Sequence, residues 1–338
     1  MTNILILSAG TRDLVVRAFK KELAGRGRVV ATDASSVAPA LYDADAAYIV
    51  PRIDAPDYLD RILDICRKEH ITGLFSLIDP ELSLIAKNRD RFTAIGVTPV
   101  VSSYELCELT LNKYQMYQRL LSMGIPTQKC WMDPDAFLQD MNAGAVSFPV
   151  FVKPQGGSAS IHITEVRDGQ MLRALKADEP DLMIQELMRG QEYGCDVYVD
   201  LLSHKVTDIF LKKKIKMRAG ETDKAVSVKD QELLGQIAAF AESLGFAGMI
   251  DMDLFHDEEK TEDDRINNPE GTWYLSEINP RFGGGYPHAY ACGVNFPARV
   301  IENLEGRAGT PAIGSYETGI YMMKYNETAI RKKEELVH

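Results

Sequence analysis

The chain has 338 residues, of which 45% are hydrophobic and 26% charged, and its formal net charge is −11. This composition is typical of a globular protein with two or three packed units. The acidic balance argues against a nucleic-acid surface as the main function, and no apolar run approaches the roughly 20 residues of a membrane span. The five cysteines are far apart and form no CxxC pair, which disfavours a disulfide framework or a zinc site and predicts a cytoplasmic location.

Residues 1–103 alternate short apolar runs with helical patterns, which is typical of β–α–β units in a parallel sheet. The opening MTNILILSAG lacks the basic region of a signal peptide and predicts a first strand. Only Gly10 follows that strand, so the GxGxxG turn of a dinucleotide-binding domain is missing and a nicotinamide-dependent oxidoreductase is disfavoured. The pattern predicts three strands and two helices: NILILSA, RVVATD, TGLFSLID, and DLVVRAFKKELAG, YLDRILDICRKEH.

A single long helix is predicted over residues 104–123, ending before Gly124 and Pro126. Lys113 lies on its polar side, where most lysines are simply solvated. Two further helices are expected over residues 230–244 and 295–305. Between and beside these helices the pattern predicts strands in FPVFVKP, SIHITEV, DLMIQEL, YGCDVYVDLL, KVTDIFLKKKIKM, GMIDMDLF and TWYLSEIN.

Residues 256–271 carry seven acidic and two basic residues with almost no apolar content. A solvated hairpin loop is favoured over an interaction tail. Such a loop would let GMIDMDLF and TWYLSEIN pair as antiparallel strands.

The segment YLSEINPRFGGGY is the most informative part of the chain. It places Glu277, Asn279 and Arg281 two residues apart, so on a strand they share one face. A carboxylate, an amide oxygen and a guanidinium suit Mg²⁺ and the polyphosphate that it carries. Asp251 and Asp253 alternate in the same way on the preceding strand, and in a suitable register the two strands would converge on one metal.

The segment FVKPQGGSAS places Lys153 at the end of a strand and before a glycine-rich loop. Glycines allow backbone amides to approach phosphate oxygens, and the lysine adds a positive charge. The loop is not a Walker A sequence, and by itself it is as consistent with an ordinary hairpin turn.

Two weaker segments point the same way. QELMRGQE could offer backbone groups to an adenine and a carboxylate to a ribose, although an amphipathic strand with exposed acids is the commoner explanation. Residues 205–220 contain five lysines and one arginine, which predicts either a solvated face or a wall that faces anionic ligands.

Taken together, VKP with its glycine-rich loop, QELxxGxE, DMD and SEINPRFGGGY, in this order along the chain, resemble the ATP-grasp superfamily, and the resemblance covers almost the whole chain. The resemblance is nearest to one ATP-grasp unit of the carbamoyl-phosphate synthetase large subunit and to related short ligases. It implies an α/β and α+β fold with four segments. These are a Rossmann-like pre-ATP-grasp domain (1–103), a linker helix with a small lid subdomain (104–187), a large subdomain with the metal site (188–310) and a C-terminal strand and helix extension (311–338).

The resemblance also implies roles for individual residues. The nucleotide-binding residues would be Lys113 and Lys153 at the phosphates, Gly156, Gly157 and Ser158 in a mobile lid, Glu186 and Met188 at adenine, and Glu192 at the ribose. The metal ligands for one or two Mg²⁺, which Mn²⁺ could replace, would be Asp253, Glu277 and Asn279. Asp253 is preferred to Asp251 because the first metal residue of the family lies just before the end of its strand.

The implied reaction is Mg-ATP-dependent ligation of a carboxylate to an amine. Arg281 would steady the transferred phosphoryl group, with Lys153 and Arg218 as further catalytic residues, and Lys214 would contact phosphate or substrate. Candidate substrate contacts are Arg12, Asp79, Glu81, Arg218, Tyr286 and His288, and for His288 a surface position with no role is equally consistent.

Two alternatives remain from the sequence. The chain has no glutaminase signature and room for only one ATP-grasp unit, so it could be a carbamoyl-phosphate-synthetase-like component that needs partner chains. It could also bind ATP without turnover, although the complete metal trio argues against that. The expected partners are small molecules rather than nucleic acid or membrane, and a homodimer is the default assembly.

Overall fold

The computed structural model describes residues 1–157, 163–218, 220–257 and 271–338. The chain divides into two compact units, each built from segments that are separate in sequence. The first unit contains residues 1–107, 195–251 and 279–338, and the second contains residues 108–194 and 252–278. In the described part of the chain, no helix is long and apolar enough to cross a membrane.

A parallel sheet of five strands, in the order β3-β2-β1-β4-β5, forms the amino-terminal part of the first unit. Its strands are β1 Ile4–Leu7, β2 Val29–Asp33, β3 Ala46–Ile49, β4 Gly73–Ser76 and β5 Thr98–Pro99. Its helices are α1 Asp13–Leu23, α2 Tyr58–Lys68, α3 Asp79–Lys87 and α4 Arg89–Thr93, and a 3-10 turn spans Pro39–Asp43.

Strand β1 is buried on both faces, as a central parallel strand requires. Ile4 and Ile6 belong to one core with Phe19 of α1, whereas Leu5 and Leu7 belong to a second core with the helix α2. The predicted three strands and two helices are confirmed. The pattern missed β3, β5, α3 and α4, because these elements are short and lack a clear apolar period.

A four-stranded antiparallel sheet, in the order β6-β9-β7-β8, lies in the second unit. Its strands are β6 Cys130–Trp131, β7 Val150–Pro154, β8 Thr164–Val166 and β9 Leu182–Glu186. The helices of this region are α5 Tyr104–Leu111, α6 Lys113–Ser122, α7 Pro134–Asn142 and α8 Gly169–Asp178. Phe137 of α7 and Leu172 of α8 pack with Val150 and Ile184 of the sheet in one core.

The prediction of a single helix over residues 104–123 is wrong, because the helix is interrupted at Asn112. This residue has an extended backbone, and its side chain caps α6 by accepting a hydrogen bond of 3.0 Å from the Gln115 N–H. Its backbone also forms an isolated bridge with Gly156. The apolar period runs through both helices, so the sequence did not reveal the break.

A six-stranded sheet, in the order β14-β13-β10-β11-β12-β15, completes the fold. Its strands are β10 Gln191–Val199, β11 Val206–Arg218, β12 Glu221–Val228, β13 Gly248–His256, β14 Trp273–Asn279 and β15 Tyr321–Met323. The accompanying helices are α9 Gln231–Leu244, α10 Tyr286–Ala291 and α11 Phe296–Leu304, and a 3-10 turn spans Lys333–Glu335.

This part of the fold confirms most of the predicted strands and the two predicted helices. Strand β12 was missed, although it pairs antiparallel with β11 from Leu211↔Val228 to Arg218↔Glu221. Strands β13 and β14 are neighbours in the sheet. Residues 258–270 of the predicted hairpin loop lie outside the described residues.

Candidate active site

A small pocket lies within the second unit, between α5, α6 and strands β7, β9 and β14. Its lining includes Lys113, Tyr117, Cys130, Lys153, Gln185 and Glu277. Lys153 is only 9% exposed. Burial lowers the pKa of its ammonium group, Lys113 lowers it further, and the carboxylates of Glu277 and Asp253 oppose that shift. The pocket thus holds a buried cation with a second lysine and two carboxylates close enough to affect it.

Lys113 faces the glycine-rich loop rather than solvent. Its N–H donates to the Gln155 carbonyl at 2.7 Å, and its ammonium group donates to the Gly157 carbonyl and lies 3.5 Å from Glu277 Oε1. The solvated-helix interpretation is therefore wrong. The helix break at Asn112 explains the difference, because it places Lys113 in the first turn of α6 instead of on the side of a longer helix.

The glycine-rich loop is described up to residue 157. Gly157 has φ of 99°, a conformation that side-chain-bearing residues rarely adopt, so the turn requires glycine here. Ser158 lies outside the described residues, and the lid role of Gly156, Gly157 and Ser158 stays a prediction.

The structure places the predicted adenine and ribose contacts at the junction of β9 and β10. Glu186 ends β9, and its N–H donates to the Lys129 carbonyl at 2.9 Å while its carboxylate accepts from the Lys129 N–H at 3.1 Å. The Glu186 N–H is thus already engaged. Met188 lies in the following loop and Glu192 near the start of β10, both partly buried.

The predicted metal ligands lie on strands β13 and β14. The charges of Glu277 and Asp253 both raise the pKa of Lys153, and Asn279 follows Glu277 by two residues on β14. Within the described residues, no group of three or more His, Cys, Asp or Glu could hold a metal by itself. Two carboxylates and one amide oxygen nevertheless fit Mg²⁺, which uses few protein ligands and shares its shell with phosphates.

Arg281 is held by two carboxylates within the first unit. Its Nε lies 3.1 Å from Asp79, and its Nη1 lies 3.5 Å from Asp251 and donates to the Phe282 carbonyl at 3.1 Å. Asp251, which was set aside as a metal ligand, is thus an ion-pair partner of Arg281. No local pattern in the sequence pairs Asp79 with a residue 202 positions away.

The three consecutive glycines after Phe282 each lie against charged side chains of the first unit. A Cβ atom on Gly283 would be 2.3 Å from Asp251 Oδ1, and one on Gly284 would be 2.5 Å from Arg12 Nη1. A Cβ atom on Gly285 would be 2.9 Å from the Lys212 side chain. None of the three has a positive φ, so glycine serves close approach here, and a side chain at these positions would have to displace the charged groups.

Next to this turn, Glu221 joins two cations. Its carboxylate lies 2.8 Å from Arg12 and 2.9 Å from Lys324. Burial by itself would raise the pKa of the Glu221 carboxyl, but Arg12, Lys324 and Arg281 lower it below its usual value. Two ion-paired clusters thus lie beside the glycine turn, one around Arg281 and one around Glu221.

The basic strand β11 has two kinds of lysine. Lys212 and Lys214 are buried, and Lys212 forms an ion pair with Asp196 in which both side chains are 1% exposed. Lys216 and Arg218 are exposed, and Arg218 contacts Asp223 at 3.4 Å and Asn326 at 3.1 Å. The solvated-face interpretation applies only to the outer end of the strand, and the roles of Lys214 and Arg218 stay predictions.

Two of the candidate substrate contacts are core residues. The Tyr286 hydroxyl donates to the Val294 carbonyl at 3.1 Å and accepts from the Phe296 N–H at 2.8 Å. His288 is buried, its Nε2 lies 2.9 Å from the Ile320 carbonyl, and burial lowers its pKa to about 4. The surface position considered for His288 is wrong.

Glu81 lies in a buried hydrogen-bond network at the carboxyl ends of β1 and β4. Its carboxyl group accepts from Ser8 Oγ at 2.8 Å and from the hydroxyls of Ser76 and Tyr58. Burial raises its pKa from 4.5 to about 8; the hydrogen bond from Ser8 opposes this shift, and the charge of Asp33 adds a smaller increase. Glu81 therefore carries a proton at neutral pH, and it ties the β1–α1 loop to the first turn of α3.

Glu81→Gln is expected to flatten the pH dependence of folding stability. The folded state keeps a proton on Glu81 that the unfolded state releases near pH 4.5, so this contribution is complete below that pH and is lost as pH rises toward 8. One such proton gives a slope of about 1.4 kcal/mol per pH unit. Urea denaturation of both proteins across this window checks the difference, and an equally steep loss of stability in the variant would contradict it.

Comparisons with known proteins bear on the family and the fold. Residues 4–100 match the family model described as PylC-like, N-terminal domain, and residues 178–328 match the model described as ATP-grasp in the biosynthetic pathway with Ter operon. A D-alanine–D-alanine ligase from Pseudomonas entomophila (strain L48) is 23% identical over 240 residues, which cover 67% of this chain and 71% of the ligase.

Solved structures show the same fold. The biotin carboxylase domain dimer of Hydrogenobacter thermophilus 2-oxoglutarate carboxylase, in complex with MgADP and bicarbonate, is 17% identical with a TM-score of 0.71, over 95% of this chain and 73% of that one. N5-carboxyaminoimidazole synthetase from Staphylococcus aureus is 14% identical with a TM-score of 0.69, over 92% of this chain and 79% of that one.

The chain is an ATP-dependent ligase of the ATP-grasp type, the class to which its relatives and structural neighbours belong. The chain belongs to the ATP-grasp superfamily, as its motifs predicted.

Proposed function

We propose that this protein activates a carboxylate with Mg-ATP as an acyl phosphate and joins it to an amine. The observation that carries the proposal is the pocket of the second unit, in which Lys153 and Lys113 lie with Glu277. A buried ammonium whose pKa is lowered by burial is energetically costly, and a bound polyphosphate would compensate that cost.

The chain's own residues would act first on the phosphates. Lys153 and Lys113 would hold phosphate oxygens, and Asp253, Glu277 and Asn279 would hold the metal. When bound, Mg²⁺ supplies positive charge that stabilises the phosphate oxygens during transfer. Gly156, Gly157 and Ser158 would cover the phosphates and exclude water, while Glu186 and Met188 would contact adenine and Glu192 the ribose.

Two displacements would follow. A substrate carboxylate oxygen would bond to the γ-phosphorus as the bond to the ADP oxygen breaks, which needs no base because a carboxylate is ionised at neutral pH. The amine nitrogen would then attack the acyl carbon, and the departing phosphate can accept the amine proton. Arg281 would offset the negative charge of the transferred group, and Lys214 and Arg218 would contact phosphate or substrate.

The proposal also covers organisation and partners. We assign residues 1–103, 104–187, 188–310 and 311–338 to the four segments that the superfamily resemblance implies. The partners would be small-molecule carboxylates and amines, and the assembly a homodimer. A cytoplasmic location is supported by five free cysteines, four of them buried.

ADP release in a coupled assay tests this function. Purified protein would receive Mg-ATP with pooled amino acids and small carboxylates, with and without ammonia or amine pools. Release that requires one carboxylate pool is expected, and Glu277→Gln should lower it by about 10²–10³-fold, because loss of a Mg²⁺ ligand weakens charge stabilisation of the transferred phosphoryl group. Glu165→Gln, which changes an exposed residue of strand β8, is the matched control and should keep full activity.

The negative results are also informative. Equal ADP release by wild type and Glu277→Gln would contradict the assigned site. Thermal stabilisation by Mg-ATP without ADP release from any pool would instead support a nucleotide-binding protein that does not turn over, or a component that needs partner chains.

A further inference from the structure

Strand β15, which belongs to the first unit, is one edge of the six-stranded sheet. It pairs antiparallel with β12 on one side only, with Met322 opposite Ala225 and Met323 opposite Lys224. The Lys324 N–H donates to the Asp223 carbonyl at 2.9 Å, so this ladder continues one residue beyond the strand.

Alternation along the ladder decides which backbone groups reach the open edge. The Ser227 N–H donates to the Ile320 carbonyl at 2.9 Å, and Lys324 bonds Asp223, so the even-numbered residues of this segment bond to β12. In an antiparallel ladder the intervening residues direct their N–H and C=O groups away from that partner. Tyr321, Met323 and the following Tyr325 therefore present their backbone groups at the open edge.

The side chains of the same three residues form an exposed apolar stripe. Tyr321, Met323 and Tyr325 are 63%, 67% and 83% exposed, and residues at this spacing share one face of a strand. Natural edge strands are usually protected by charged residues or proline. Here Lys324, the lysine within this segment, forms an ion pair with Glu221, and Lys224 lies on the neighbouring strand β12.

We propose that β15 binds β15 of a second copy of this chain, antiparallel, across a two-fold axis at Met323. Met323 would then face the partner's Met323, and Tyr321 would face the partner's Tyr325. Such an interface uses the same patch on both copies and extends the sheet from one copy into the next. The stripe carries no charge, so self-pairing brings no like charges together, and aromatic cross-strand pairs are favourable.

The available area indicates the strength of this dimer. Side chains of this size bury about 200 Å² each when fully covered, so the stripe offers roughly 400 Å² per copy at its observed exposure. A pair would bury roughly 800 Å² of side-chain surface plus the backbone edge, which is at the lower limit of specific interfaces. The dimer is therefore weak and concentration dependent, with a Kd on the order of micromolar or above, since interfaces about twice this size range from micromolar to picomolar.

Charge reversal at the two-fold axis tests both the surface and the register. Met323→Lys places two ammonium groups directly opposite each other, and Met323→Glu places two carboxylates there. Sedimentation equilibrium over a roughly 100-fold concentration range around the expected Kd should show a reversible wild-type dimer. Each variant alone should dimerise at least about tenfold more weakly, whereas their equimolar mixture should recover a heterodimer.

Leu202→Lys is the matched control, because it also replaces an exposed apolar residue of the first unit with lysine but lies in the turn before β11. It should dimerise like wild type, and thermal unfolding should show that all variants are folded. A monomeric wild type, a dimer that survives Met323→Lys, or equal weakening by Leu202→Lys would each overturn the proposal. If the mixture of Met323→Lys and Met323→Glu forms no heterodimer, the proposed two-fold register is wrong.

Discussion

Replacement of Lys153 with methionine is expected to remove most of the ATP affinity while leaving the free protein at least as stable as wild type. Burial lowers the pKa of Lys153, which means that its surroundings disfavour the charged form in the absence of nucleotide. Methionine keeps the volume of the side chain without this cost. Loss of one charged contact with phosphate should reduce affinity by about 10–100-fold, equivalent to about 1.5–3 kcal/mol.

Thermal unfolding with and without Mg-ATP measures both effects in one experiment. Wild type should gain stability from the nucleotide, and Lys153→Met should gain little. The control is Lys176→Met, because Lys176 is equally buried but donates to the Pro180 and Leu182 carbonyls outside the pocket. Lys176→Met should destabilise the fold and keep the ATP-induced shift. A full ATP-induced shift in Lys153→Met would show that this lysine does not bind the phosphates.

Replacement of Arg281 with alanine is expected to lower kcat by about 10²–10³-fold and also to destabilise the first unit. The loss of stability is expected because the Asp79 and Asp251 side chains are only 8% and 17% exposed and would lose their counter-ion. Removing one partner of a buried ion pair typically costs about 3–5 kcal/mol. Arg281 is thus both a candidate charge stabiliser and the centre of an ion-pair network.

The double variant Arg281→Ala/Asp79→Asn separates these two roles. Neutralising Asp79 should recover much of the stability lost in Arg281→Ala, because one uncompensated carboxylate is removed. It should not recover turnover if Arg281 acts on the transferred phosphoryl group. Urea denaturation and the ADP-release assay measure the two quantities independently. A normal kcat in Arg281→Ala would be incompatible with that role, whatever its stability.

The candidate site shows which features a local sequence pattern can predict and which it cannot. Glu277 and Asn279 could be placed on one face of a strand because alternation along a strand depends only on neighbouring residues. The glycines after Phe282 were visible as a motif, but the cause of that motif was not. Only the folded chain brings Asp251, Arg12 and Lys212 against them, and a Cβ atom would have to displace these charged groups.

Lys113 illustrates the opposite case, in which a local pattern misleads. The apolar period continues across Asn112, so helical periodicity predicts one helix where two exist. The break is stabilised by a bridge to Gly156, a contact that joins residues 44 positions apart. Without this contact, Lys113 would be a solvated residue on a helix surface. With it, Lys113 reaches both the glycine-rich loop and Glu277.

The sequence by itself determined the main strands and helices, because these follow from short-range periodicity. Its motifs indicated the superfamily by resemblance, and the residues proposed for the nucleotide and metal sites came from the same resemblance. The tertiary structure decided which charges meet. It paired Arg281 with Asp79, buried Glu81 as a protonated carboxyl and left the edge of β15 open. Ion pairs, burial and strand edges depend on residues that are distant along the chain, and no local pattern records which distant residues become neighbours.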